Sequence, residues 1–326
     1  MPIHNAGYRA WTGQRVSQSI RWTVIAKSGV RRTVGSLWLR RMLFLAILPP
    51  IFFALPFFLF EQAMRDPALA QDFIGMLRGM PQNEFVQETL ALALDRSAPE
   101  QVEVLRHQIW SFLLLTLFRV PQSIVMVLVI GIAAPPLVSH DIRSRAFLIY
   151  FSKPISRLKY IAGKLGTITF FLMMITTLPA LLLYGVAVML SPTPAVILAT
   201  WDLPLRVLVA SVVLILPTTA MALMFSSMTT ESRYAGFAWF AVWILGNVMF
   251  SVLMAFTVEV VDGVSMSQPG WITLLSPYHT LGAVQSWIFD LSTDEATVLP
   301  AVSALVVVTI SSIAVVFHRV ALPMRA

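Results

Sequence analysis

The sequence predicts an all-α polytopic membrane protein with six transmembrane helices and both termini on the inner side. Three observations carry this. The chain has 326 residues, 57% of them hydrophobic and only 12% charged, with a mean hydropathy of +0.78, whereas ordinary soluble domains carry about 25% charged residues. Six apolar runs approach the ~20 residues needed to cross a hydrocarbon core. Under the topology these runs imply, seventeen Lys/Arg but only Asp141 and Glu231 among the acids fall inside, leaving six Lys/Arg and fourteen acids outside. That asymmetry is the positive-inside bias, and it accounts for the net charge of +7 without a nucleic-acid partner. The chain has no cysteine, so disulfides, thiol redox centres and Cys-ligated metals are excluded.

Residues 1–41 are basic and free of acids, and Ile20, Val24, Val30, Val34, Leu37 and Trp38 form an apolar stripe between Arg21, Lys27, Arg31 and Arg32. The stripe predicts a basic amphipathic interfacial helix on the inner leaflet; an Arg-rich, acid-poor organellar targeting segment has the same composition. Residues 42–326 form the six-span domain. The first span, about 42–60, is interrupted by Pro49, Pro50 and Pro56, which predicts a kink. Residues 61–108 are polar and read as a small outer helical cap able to contact an accessory protein. The second span is 123–138; the apolar run 109–118 before it is too short to cross alone and reads as an interfacial, re-entrant or tilted extension, separated by Arg119, Pro121 and Gln122. The third, fourth and fifth spans are expected at 167–190, 207–227 and 234–256. In the outer loop 258–297, Leu274, Tyr278, Leu281, Val284 and Ile288 recur at helical spacing, predicting a re-entrant or interfacial helix with Trp271 and Trp287 at headgroup depth. The last span is 298–317, closed on the inner side by His318, Arg319 and Arg325.

The inner loop 139–166 carries Arg143, Arg145, Lys153, Arg157, Lys159 and Lys164 against the single acid Asp141. Ile155, Leu158, Ile161 and Leu165 recur at three- and four-residue steps, the spacing of a short amphipathic helix along the inner surface. Positive-inside anchoring would account for the charge alone. The segment SKPISRLKYIAGK, with Pro154, Ile155, Arg157, Tyr160, Gly163 and Lys164 in the order Pro-Ile-x-Arg-x-x-Tyr-x-x-Gly-Lys, resembles the cytoplasmic loop of type-2 ABC transporter permeases. The likeness is specific over residues 134–166. It implies a coupling helix that docks on a separate ATP-hydrolysing subunit, with Asp141, Arg143, Arg145, Lys153, Pro154, Arg157, Tyr160, Gly163 and Lys164 forming the contact. Where the family pattern often has Arg before Pro-Ile, this chain has Lys153, which keeps the charge but loses bidentate geometry. The resemblance further implies two ATPase subunits carrying ATP and Mg, a second permease copy or homologous permease, and a multi-pass place in the cell membrane, the inner or plasma membrane, of a bacterial type.

A search for chemistry within the chain returns little. Gly163-Lys164 is followed by Leu165, and Leu158 stands where a phosphate cradle needs its first Gly, so nucleotide binding is expected on another polypeptide and no cofactor on this one. His4, His107, His140, His279 and His318 are scattered, with no metal-binding spacing. Ser139-His140-Asp141 is adjacent in sequence, whereas a catalytic triad is defined by geometry; the simpler expectation is that Asp141 caps the following helix. Arg119 and Arg206 lie near outer span ends, where snorkelling accounts for them. Thr176, Thr177, Thr218, Thr219 and Asn247 are the polar groups within spans; they either join helices or line a path suited to an apolar or amphipathic substrate. The expected function is an ATP-driven permease subunit that exports or flips such a substrate. A non-transporting scaffold is the alternative, and an intramembrane enzyme is a further one that lacks a polar catalytic cluster.

Overall fold

The computed structural model describes residues 20–66, 68–69, 71–72, 74–75, 89, 99–146, 155–191, 196–257, 260–261, 264–265, 270–292 and 294–321. Apart from a two-residue pairing of Val260–Val261 with Val264–Ser265, the described secondary structure is helical. Six of its helical segments are long and apolar enough to cross a membrane: Leu37–Met64, Val125–Arg143, Arg157–Leu190, Val196–Met228, Ser232–Thr257 and Glu295–Val320.

Helix α1 (Arg21–Val34) precedes α2 (Leu37–Leu45) and α3 (Leu48–Arg65), which together make the first span. The expected proline break falls at Ala46-Ile47: Pro49 and Pro50 occupy the first turn of α3, where their missing N–H groups cost no intrahelical bond. Pro56 stays inside the helix.

Residues 109–118 are not a separate extension. They lie within one 25-residue helix, α4 (Pro99–Ser123), which also contains the polar stretch before them. Pro121 sits in its last turn, and the chain breaks at Ile124 (φ −128°, ψ −58°) before α5 (Val125–Ala133) and α6 (Pro135–Arg143). The remainder of the cap assigned to 61–108 lies largely outside the described residues.

The third span begins ten residues earlier than expected. Helix α7 (Arg157–Leu172) runs through a π-helical turn, Met173–Thr177, into α8 (Leu178–Leu190). Residues 157–166 are therefore its first turns, and no separate interfacial helix is present there among the described residues. Ser156 starts the helix, its hydroxyl accepting the Lys159 N–H at 3.4 Å. Gly163 and Gly166 would weaken an exposed helix; here they admit α1. A Cβ at Gly163 would lie 2.6 Å from Ile25 Cβ.

The short α9 (Val196–Thr200) leads into α10 (Asp202–Met228), followed by α11 (Ser232–Thr257). A 3₁₀ turn, Gly270–Leu275, and α12 (Pro277–Ile288) precede the last span, α13 (Glu295–Ala321). Trp271 and Trp287 are both about half exposed, at 55% and 50%. The core runs along the second and fourth spans, which are 72% and 61% buried over their most apolar windows; the fifth is 6% buried. Ser226 joins the two central spans at the end nearest the 139–166 loop. Its Oγ accepts N–H bonds from Val138 and Ser139 at 3.0 and 3.2 Å and donates to the Pro135 carbonyl at 2.6 Å.

Candidate functional site

The basic loop selected from the sequence is framed by the end of α6 and the start of α7. Asp141 is buried in the last turns of α6. Its Oδ2 accepts the Tyr160 hydroxyl at 2.8 Å and lies 2.7 Å from the Lys164 ammonium. Tyr160 and Lys164 are four residues apart on α7 and so share one face. The ammonium also stands 5.3 Å from the Tyr160 ring centroid. Asp141 thus does not cap the next helix; Ser156 does. The pair instead fastens the root of the second span to the root of the third.

A second layer covers this joint. Ile25 on α1 is buried against Gly163, and the Thr167 hydroxyl lies 3.4 Å from the Ala26 carbonyl and 3.1 Å from that of Gly163. The expected stripe is split: Ile20, Val24, Leu37 and Trp38 are exposed and Val30 and Val34 pack partly on the core, while Trp22, Ile25, Ala26 and Gly29 face α7. Helix α6 ends with Arg145 in a left-handed conformation (φ 53°), and the Ala146 N–H returns to the Asp141 carbonyl at 3.0 Å. Such a termination usually uses Gly. Arg143 reaches Glu231 at 3.2 Å across the turn between α10 and α11, a largely exposed pair that contributes little to stability.

The sequence-selected contact residues therefore divide into two groups. Asp141, Tyr160, Gly163 and Lys164 are interior. Arg143, Arg145 and Arg157 are partly or fully exposed, and Leu158 beside Arg157 is 68% exposed. Of the proposed apolar face, Ile161 is buried and Ile155 and Leu165 pack partly on the core, so Leu158 alone turns away. Lys153 and Pro154 lie outside the described residues. Ser139, His140 and Asp141 form no triad: Ser139 Oγ donates to the Pro135 carbonyl at 2.6 Å, and His140 is exposed.

Thr176, Thr177, Thr218 and Thr219 are buried, whereas Asn247 lies exposed on α11. Thr177 is joined to Ser211 of α10 at 2.8 Å, the helix-joining role expected of intramembrane hydroxyls. Thr176 and Thr219 bond to the carbonyls of Leu172 and Ile215, one turn back on their own helices.

Several polar contacts at the opposite ends of the spans escaped sequence reasoning. Glu61 at the end of the first span is 2% exposed, 3.0 Å from Arg106, and accepts from Trp110 Nε1 at 3.2 Å. Asp202 binds His107 at 2.9 Å and Arg206 at 2.7 Å, and Arg206 also donates to the Ile288 carbonyl at 2.8 Å. Arg206 is thus held by partners and does not simply snorkel. Arg119 is held likewise: its guanidinium lies 4.2 Å from the Tyr278 ring centroid and occupies the space that a side chain at Gly282 would need. Next to it, His279 stacks on Phe250, and burial, with Arg119 nearby, pushes its pKa down to about 4, so it is neutral at pH 7. The sequence signal available for these pairs was an acid or base at the end of an apolar run, which names one partner and not the other.

Among the described residues, no group of three or more His, Asp or Glu is placed to hold a metal ion. No protein-family model matches the chain. No curated protein matches it either.

Proposed function

We propose that this chain is the permease subunit of an ATP-driven transporter, moving an apolar or amphipathic substrate between membrane leaflets or out of the cell. A separate pair of ATPase subunits docks on the inner loop and supplies ATP and Mg. The observation that carries this reading is the Asp141–Lys164–Tyr160 joint beside the Lys153–Lys164 motif. A force applied to the loop between α6 and α7 reaches the second and third spans together, because a buried ion pair ties their roots. Arg157, Leu158 and Lys159 then provide a basic and apolar tip for the partner. Rigid-body tilting of packed helices is a known route to alternating access.

Six spans enclose little room for a lipid-sized solute, so a second permease copy, identical or homologous, completes the route. The exposed apolar fifth span provides a surface for it. The buried hydroxyls of Thr176, Thr177, Thr218 and Thr219 carry no charge, which suits an apolar or amphipathic cargo.

The test is co-purification with a candidate ATP-binding-cassette subunit encoded beside this chain. Reversing Arg157 and Lys159 to Glu should abolish co-purification and substrate-stimulated ATP hydrolysis while membrane insertion persists. Lys164 is unsuitable for this purpose, because its reversal would also break the buried joint. Unchanged association in the double reversal would remove the docking assignment. A complex whose ATP hydrolysis responds to no substrate would favour the scaffold reading.

A further inference from the structure

We propose that the outer end of α4 and the turn after α12 form a binding site for a primary ammonium group. A cavity of about 190 Å³ lies there. Val104, His107, Gln108 and Ser111 line it from one face of α4, at the three- and four-residue spacing of a single helical side, and Phe289 and Asp290 line it from the turn. Liquid water occupies ~30 Å³ per molecule, so the space suits one small organic group better than a single water.

Two polar atoms in the wall have no hydrogen-bond partner among the described residues. Ser111 is 1% exposed, and neither its Oγ nor the buried Gln108 Oε1 meets a partner among those residues. Ser111 is unlike its neighbours on the same helix. Thr116 and Ser123 turn back to the carbonyls of Phe112 and Val120, at 2.7 and 2.8 Å. Buried polar groups in folded proteins are nearly always satisfied, and an exception calls for an explanation. A ligand bearing several N–H donors supplies one, since a carbonyl, a hydroxyl and the Asp290 carboxylate all accept.

The charge around the cavity selects a cation. Asp202, behind the wall, is held by both His107 at 2.9 Å and Arg206 at 2.7 Å, whereas Asp290, in the wall, has only the same Arg206 guanidinium at 3.8 Å among the described residues. Asp290 is 73% exposed on its side chain and free to swing toward a ligand. An anion would meet the Asp290 carboxylate in the wall. A quaternary ammonium has no N–H to offer Gln108 and Ser111. A metal ion finds no group of three ligating side chains among the described residues. The site stands where the polar half of α4 gives way to its apolar half, with Trp287 exposed nearby in sequence. An aminophospholipid headgroup and a soluble amine share the required chemistry.

The proposal needs no ATPase partner and is tested on the full chain alone. The protein is reconstituted in nanodiscs holding equal amounts of phosphatidylethanolamine and phosphatidylcholine, and the lipids retained after detergent extraction are weighed by native mass spectrometry. Phosphatidylethanolamine should be retained about tenfold over phosphatidylcholine, the ratio expected of one charge-assisted hydrogen bond. Free ethanolamine in phosphatidylcholine nanodiscs separates the sources. A rise in melting temperature assigns the site to soluble amines as well, and retention of the lipid without such a rise assigns it to the headgroup. Asp290→Asn and Ser111→Ala should each erase the preference. Asp290 has φ 62°, a conformation that Asn also tolerates, so this change leaves the turn intact. Ser111→Ala removes an unsatisfied hydroxyl and should not lower the melting temperature without ligand. Equal retention of the two lipids with no response to ethanolamine would overturn the site, as would a preference untouched by both substitutions.

Discussion

Lys164 and Asp141 show how the same residues serve as anchors and as parts of a joint. Both were legible as members of a basic inner loop, but nothing in their spacing, 23 positions apart, gave the 2.7 Å contact between them. The contact depends on how α6 and α7 pack, which the spacing of the two residues does not give. A buried pair of this kind adds little net stability over an apolar replacement, but breaking it on one side is costly. Lys164→Met should therefore destabilise the detergent-solubilised protein by about 3–5 kcal/mol by leaving the Asp141 charge unmatched in the interior. Combining it with Asp141→Asn should restore most of the loss, whereas Arg143→Ala, at an exposed pair, should cost no more than about 1 kcal/mol. Thermal unfolding of the three variants measures this, and equal losses in the single and double variants would show that the two residues do not act as a pair. The outer pairs teach the same lesson. Glu61 and Arg106 are 45 positions apart, and only the packing of α3 on α4 brings them together.

At the level of elements, the apolar runs fixed the positions of the spans, because twenty apolar residues have few other places to go. Their ends were less legible. The polar first turns of the third span, residues 157–166, read as surface, although Tyr160, Ile161 and Lys164 are buried by tertiary contacts with α6 and α1. The run 109–118 looked too short because its polar upstream neighbour continues the same helix. Of the apolar stripe expected on α1, Val30 and Val34 pack on the core while Ile20 and Val24 are exposed, and the face that docks on α7 is built from Trp22, Ile25, Ala26 and Gly29. Small residues on α7 make that approach possible, as they do where transmembrane helices meet. Gly163→Leu should dislodge α1 while leaving the six spans inserted. Limited proteolysis within residues 21–34 should then become faster, by about tenfold for a loss of 1.4 kcal/mol in docking when opening is rapid. An unchanged cleavage rate would show that α1 is not held by this contact.

On the scale of the whole molecule, the burial of the spans separates a packed centre from an apolar periphery. The second and fourth spans form the centre, and the first, fifth and sixth leave most of their surface uncovered, at 17%, 6% and 17% buried. Lipid or a second copy covers surfaces of this kind. In the proposed orientation the basic roots at 143–164 face the inner side and the acid-bearing turn after α12 faces the outer side. A permease driven from the inner side requires that orientation. The absence of native cysteine makes it directly measurable, because any introduced thiol is the only one. Leu158→Cys and Trp287→Cys replace side chains that are 68% and 50% exposed. With a membrane-impermeant maleimide on intact cells, Cys introduced at 287 should label at once, and Cys introduced at 158 should label only after the membrane is opened. Labelling of position 158 in intact cells would put the basic loop on the outer face and contradict the account.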